Sequence, residues 1–175
     1  MNNSDVPLVV RTDRDGVSTL TLNRPEALNA LSPSLFEELR LHLDQLAASP
    51  EQVGVVVLPA EGRSFSAGND LKASERGERS SSPHQQAETL DFIEVMPQPV
   101  IASVRGHCYT GALELVLACD LLICADDALF CDTHGKWGMA PTGGMTSRLP
   151  ERVGPLFARD MMYSGRVVGG GEAGS

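Results

Sequence analysis

Lysine is almost missing from this chain. Of its 175 residues only Lys72 and Lys136 are lysines, so arginine supplies nearly all of the 14 basic side chains that face 23 acidic ones. A formal charge of −9 argues against a nucleic-acid binder or a protein of anionic membrane surfaces, whose footprint would be basic. Any polyanionic ligand must be held locally, against the overall field. Cysteine is sparse too: Cys108, Cys119, Cys124 and Cys131 form no CxxC pair, and Cys119 and Cys124 sit in apolar stretches as buried thiols. No apolar run approaches the roughly 18 residues of a membrane span. The opening MNNSDVPLVV has no basic stretch leading into an apolar one, so no signal peptide is visible. These absences together lead to the expectation of a reduced, cytoplasmic protein with neither nucleic acid nor membrane as partner.

What is present is ordinary for a globular domain, with 42% hydrophobic and 21% charged residues. A chain this long buries about 70% of its surface without needing a disulfide or a metal staple. Residues 8–11 and 17–22 carry β-formers around Asp13-Arg14-Asp15-Gly16, a hairpin signal. Ser32 as N-cap and Pro33 at the first helical position predict an amphipathic helix over 33–48, and Ser34-x-x-Glu37 offers a competing capping box. Three apolar runs, 53–58, 99–104 and 120–125, have strand length and read as buried parallel strands. Helical patterns cover 87–96, 111–118 and 148–164, the last with a turn at Gly154-Pro155. Residues 74–88 are serine-rich and polar and predict a mobile surface loop. The order of strands and helices gives βαβ units, hence an α/β fold. The tail 167–175 contains a formal G-x-G-x-x-G, read here as a linker or cut end and not as a dinucleotide site.

Three features could carry chemistry. Glu114 is a carboxylate inside GALELVLACDLLIC, where it lies on an exposed stripe or is desolvated with a raised pKa, as an acid/base catalyst requires. Ala67-Gly68-Asn69 and Thr110-Gly111-Ala112 follow two buried strands, at the strand ends where α/β sheets place ligands. Two unpaired N–H groups converging there would form an oxyanion hole, although both glycines could equally be turn residues. His134, in Cys131-Asp132-Thr133-His134, titrates near neutral pH and is a candidate acid or base. The spacings of His107, Cys108, Cys131, Asp132 and His134 match no compact metal-ligand pattern, so no metal is expected.

Together these pieces resemble the enoyl-CoA hydratase/isomerase (crotonase) superfamily from about Val17 to about Gly165. The landmarks are LNRPEALNAL (22–31) with its capped helix, VVVLPAEGRSFSAGNDLK (55–72), PQPVIASVRGHCYTGALELVLACDLLICAD (97–126) and GMAPTGGMTSRLPERVG (138–154). The resemblance implies a spiral of ββα units as a core domain over 1–166, with no permanently bound cofactor. It also implies a coenzyme A thioester as substrate, the carbonyl oxygen lying between the backbone N–H groups of Asn69 and Gly111. The segments 24–28 and 67–72 would cradle the coenzyme through Arg24, Ala27, Leu28, Ala67, Gly68, Asp70, Leu71 and Lys72, Asp70 organising its loop.

Family hydratases use two glutamates. Glu114 matches the first, whereas His134 occupies the position of the second. Imidazole carries protons but does not orient water as a carboxylate pair does. A Glu114/His134 pair supports hydration, thioester hydrolysis, decarboxylation or C–C cleavage. Family members usually continue into a helical C-terminal region that mediates trimer contacts. The resemblance here ends near Gly165, where that region should begin, so the expectation is that most of it is missing and that a trimer or hexamer is weakened. Two other functions stay open: an acyl-CoA-binding module with impaired chemistry, and a CoA-independent hydrolase using His134 with Asp132 or Glu114. No G-x-S-x-G elbow supports a serine nucleophile.

Overall fold

A computed structural model describes residues 6–174. Residues 1–5, on which the reading of no signal peptide partly rests, and residue 175 lie outside the described residues. Strands β1 (Val9–Arg14) and β2 (Val17–Leu22) form the expected hairpin. Asp15 and Gly16 both have positive φ at its turn, the primed geometry whose twist suits a tight hairpin. Helix α1 (Pro33–Ala47) starts where the capping signal put it, with the Leu35 N–H donating to Ser32 Oγ at 3.2 Å. Its stripe of Leu35, Leu39, Leu43 and Leu46 is buried in the core. The competing box on Ser34 is not formed, because the Ser34 N–H and hydroxyl both donate to Glu78.

The remaining chain repeats one path. Strand β3 (Val55–Leu58) is followed by a bridge residue, Ser66, and then helix α2 (Leu71–Glu75). After helix α3 (Gln85–Val95), strands β4 (Val100–Val104) and β5 (His107–Tyr109) lead into helix α4 (Gly111–Leu117). Strands β6 (Leu121–Cys124) and β7 (Leu129–Cys131) then lead to a 3-10 turn, His134–Trp137, and to helix α5 (Met145–Val153). The first strand of each pass extends one sheet, ordered β1-β2-β3-β4-β6 and parallel from β2 onward. The second strand of each pass extends another, in which Ser66 bridges to Cys108 and β5 pairs with β7. Each pass thus advances both sheets by one strand, which is a spiral of ββα units. Helix α6 (Pro155–Ser164) packs on α5, completing the helical stretch expected over 148–164.

Four expectations need correcting. The apolar run at 120–125 is a strand but not a buried one: β6 is a sheet edge, and Leu121 and Ile123 are 58% and 62% exposed. An apolar run records what a strand could bury, not whether a neighbour lies over it. Strands β3 and β4 bury one face, with Val56, Leu58, Val100 and Ala102 in the core. Their other face, at Val55, Val57 and Ile101, is only half covered. The loop expected over 74–88 is invaded from both ends by α2 and α3. The tail is no free linker either. Strand β8 (Val168–Gly169) pairs antiparallel with β7, helix α7 (Gly170–Ala173) follows, and the Gly170 N–H donates to Ala128 O at 2.8 Å. The formal glycine motif therefore runs through a short paired strand and helix, and within it a Cβ on Gly170 would stand 2.3 Å from the Ala125 carbonyl, while Gly169 and Gly171 have open space around them. Of the four free thiols, Cys119 is buried as read and Cys124 is half-buried.

Candidate active site

The spiral carries the loops that follow its second strands to one place. Ser66 accepts from the Tyr109 N–H and donates its own N–H to His107 O, so the loop after β3 runs beside the loop after β5. Gly68 makes that approach possible: its φ is +96°, and a Cβ there would sit 2.7 Å from Tyr109 O. A Cβ on Gly111 would lie 2.2 Å from Asn69 Oδ1, so these two residues abut. Among the described residues the N–H groups of Asn69 and Gly111 meet no acceptor. Thr110, between β5 and α4, is held at φ 54°, ψ −110°, which is strained for a β-branched residue. Three hydrogen bonds hold it there. Its N–H donates to Cys131 O at 2.8 Å, its hydroxyl lies 2.5 Å from that of Thr133, and it accepts from the Thr133 N–H.

A cavity of about 490 Å³ opens over these loops, lined among others by Ala67, Asn69, Leu71, Thr110, His134, Met139, Thr142 and the only tryptophan, Trp137. His134 is buried but reaches this cavity. Its Nδ1 lies 2.7 Å from Asp132 Oδ1, and its Nε2 has no hydrogen-bond partner among the described residues. Burial works against a charged imidazole here. The Asp132 hydrogen bond and the negative charges of Asp132 and Glu114 outweigh it, so His134 holds its proton above the usual histidine range.

Glu114 takes the desolvated alternative: it is completely buried in α4. Its Oε1 accepts from the Gly143 N–H at 2.8 Å and the Met145 N–H at 3.3 Å, and its Oε2 accepts a long contact from Gln86 Nε2 at 3.4 Å. Burial raises its pKa, and the two backbone N–H groups and the charge of His134 offset that only in part. Glu114 lies below the 142–145 turn and does not itself line the cavity. Arg148 fixes that turn. It donates to Gly143 O at 2.7 Å and is anchored by Glu94 and Asp91 of α3. Nothing local in the sequence marks Arg148, Gly143 or Gln86, because their link to Glu114 spans four separate elements.

Residues 24–31 lie against the same loop. The Ala67 N–H donates to Leu28 O, and the Leu31 N–H to Gly68 O. Ala27 and Leu28 are half-buried at this seam, and buried Asn29 ties it to the carbonyls of Glu61 and Ser64. Asp70 accepts from Arg24 at 2.9 Å and from the Ala73 N–H, which ties this loop to residue 24 and to the start of α2. Burial opposes its ionisation, yet Arg24, the Ala73 N–H and Arg76 together hold its carboxyl below the usual range. Arg24, expected to meet a polyanion, instead commits its guanidinium to Asp70 and Ala30 O, with 14% of the side chain exposed. Leu71 and Lys72 are exposed on α2. Among the described residues no cluster of His, Cys, Asp and Glu could hold a metal ion, and no helix is long and apolar enough to cross a membrane.

Comparison with known proteins gives this arrangement its setting. The enoyl-CoA hydratase/isomerase family model matches residues 12–175. A Bacillus subtilis protein named "Probable enoyl-CoA hydratase" is 37% identical over 161 residues, covering 90% of this chain and 62% of that protein. The Arabidopsis thaliana "Probable enoyl-CoA hydratase 1, peroxisomal" is 30% identical over 165 residues, and the chain spans 62% of its length. The solved enoyl-CoA hydratase of Bacillus anthracis superposes with a TM-score of 0.87 at 34% identity, over 95% of this chain and 66% of that one. The mixed α/β spiral is that of the crotonase fold.

Proposed function

The chain belongs to the enoyl-CoA hydratase/isomerase family, and from that premise we propose that it processes acyl-CoA thioesters through an enolate. The N–H groups of Asn69 and Gly111 receive the thioester oxygen, with Glu114 and His134 moving protons on either side of it. The observation that carries this reading is that the acceptor-free N–H groups of Asn69 and Gly111 abut beside a cavity lined by a proton-holding imidazole, with a buried carboxylate under the adjoining 142–145 turn. In hydration, Glu114 takes a proton from water as its oxygen bonds to Cβ. The C=C electrons move onto the thioester oxygen, and Nε2–H of His134 then protonates Cα. Oε2 is the Glu114 oxygen that serves here, since Oε1 is occupied by two backbone donors while Oε2 receives only the long Gln86 contact. Acyl groups fill the apolar wall of Leu71, Trp137 and Met139, while the coenzyme lies along residues 24–28 and 67–72, with exposed Lys72 as the nearest cation on α2.

The test is loss of the conjugated-thioester absorbance of a short trans-2-enoyl-CoA, measured for the wild type, Glu114→Gln and His134→Ala. General acid–base groups contribute about 10²–10⁴-fold, and each variant is expected to lose that much. Equal rates for all three would remove both residues from the mechanism. A second reading, an acyl-CoA-binding module with impaired chemistry, is favoured by one observation: Glu114 sits beneath the 142–145 turn, outside the cavity lining. Calorimetry with a saturated acyl-CoA separates the two, since binding without turnover of the enoyl-CoA is the module's signature.

A further inference from the structure

His134 differs from a simple replacement of one proton carrier by another because it has a dedicated partner. Asp132 is 2% exposed, and its Oδ1 accepts twice from His134, from the backbone N–H at 3.0 Å and from the ring Nδ1 at 2.7 Å. Both bonds run to one oxygen from one residue, so the plane and the rotation of the ring are fixed together. With Nδ1–H committed to Asp132, the other ring nitrogen, Nε2, is left without a hydrogen-bond partner among the described residues, on a side chain that lines the cavity. Thr133, between the two, is tied to Thr110 through its hydroxyl and its N–H, which anchors the pair to the residue preceding Gly111.

We infer that Asp132 is a positioning residue for the acyl-CoA chemistry, locking His134 in the Nδ1–H orientation so that Nε2 delivers the proton to the substrate. This rests on the reading under Proposed function, and it extends that reading to a residue that touches no substrate. A carboxylate in the place of His134 would need no such partner, because its two oxygens are equivalent, whereas an imidazole has two distinct nitrogens, only one of which can face the reaction. The charged groups acting on His134 are Asp132 from its own loop and Glu114 from α4. Among the described residues no titratable group of α6, which packs on the same turn, acts on it. Removing the Asp132 charge while keeping an acceptor on Nδ1–H therefore leaves the ring in place and lowers its hold on a proton.

The experiment has two arms. In the first, nitrogen-detected NMR of the ligand-free wild-type protein follows the four histidines, with His134 assigned by its loss in His134→Gln. The expected result is a neutral form protonated at Nδ1 and a midpoint above that of an ordinary imidazole, falling by about 1 unit or more in Asp132→Asn. A neutral form protonated at Nε2, or a midpoint that Asp132→Asn leaves in place, would overturn the inference. The wild-type tautomer alone decides the matter if the variant does not fold. In the second arm the alkaline limb of kcat for enoyl-CoA hydration is expected to move down with the NMR midpoint in Asp132→Asn, with KM unchanged. An alkaline limb that stays in place while the NMR midpoint moves would also overturn it. A wild-type protein that binds but does not turn over enoyl-CoA defeats the functional reading and leaves the NMR arm to decide the Asp132–His134 relation.

Discussion

Glu114 and Asp70 are both buried carboxyls in this site, and they respond to burial in opposite ways. Asp70 is matched by Arg24, Arg76 and a backbone donor, and its carboxyl is held low. A group depressed in this way stabilises the fold above its unfolded pKa, near 3.9, and that contribution is lost as pH falls through the folded value. Glu114 is raised, with burial outweighing its backbone donors. Its contribution is complete below the unfolded pKa and is lost as pH rises through the folded one. The two substitutions should therefore separate in thermal melts. Asp70→Asn is less stable than wild type at neutral pH, and the gap closes in acid. Glu114→Gln matches the wild type in acid and exceeds it at neutral pH, where it no longer carries a desolvated charge. A Glu114→Gln variant less stable than the wild type at pH 7 would contradict the assignment of Glu114 as a strained functional group. Glu114 was visible in the sequence because a lone carboxylate stood out among Leu113, Leu115, Val116 and Leu117. The residues that hold it were not, since Gly143 and Arg148 lie far along the chain and carry no periodic signal.

At the scale of elements, the local signals that worked were those with a mechanism confined to a few residues. Ser32 and Pro33 start α1, and the Asp15-Gly16 turn closes the hairpin. The Ser32 cap satisfies a buried N–H, so Ser32→Ala is expected to cost about 1 kcal/mol. Chemical denaturation should show this as a lower midpoint at unchanged slope, and an unaltered midpoint would mean that the Glu78 contacts of Ser34 hold the helix start unaided. What failed were statements about neighbours. The sequence of β6 has the same apolar run as an inner strand, and nothing in Leu121, Leu122 and Ile123 records that the strand lies at the edge. The tail failed for the same reason: its glycines suggested a linker, yet Val168 is buried and pairs with β7.

Across the whole molecule, the two sheets advance together, so that each pass of the chain ends on the same side. Asn69, Gly111 and His134 come from three successive passes and meet because the spiral has that pitch, although 65 positions separate the first from the last (134 − 69). Two of the sequence landmarks placed Asn69 and Gly111 by resemblance, and His134 followed by position from them; only the register of the strands explains why their loops meet beside one cavity. The scarcity of lysine gains a local meaning too, because Arg24 is bound internally and Lys72 is left exposed beside the loop. The central claim is that this convergence stabilises an enolate, and it is tested most directly without assuming which reaction follows. A saturated short-chain acyl-CoA is incubated with the protein in heavy water, and deuterium at Cα is read by mass spectrometry. Trp137 fluorescence shows in the same sample that the ligand is bound. The account predicts deuterium incorporation by the wild type, removed in His134→Ala while binding persists. Bound ligand with no exchange in the wild type, or exchange that survives His134→Ala, would contradict it.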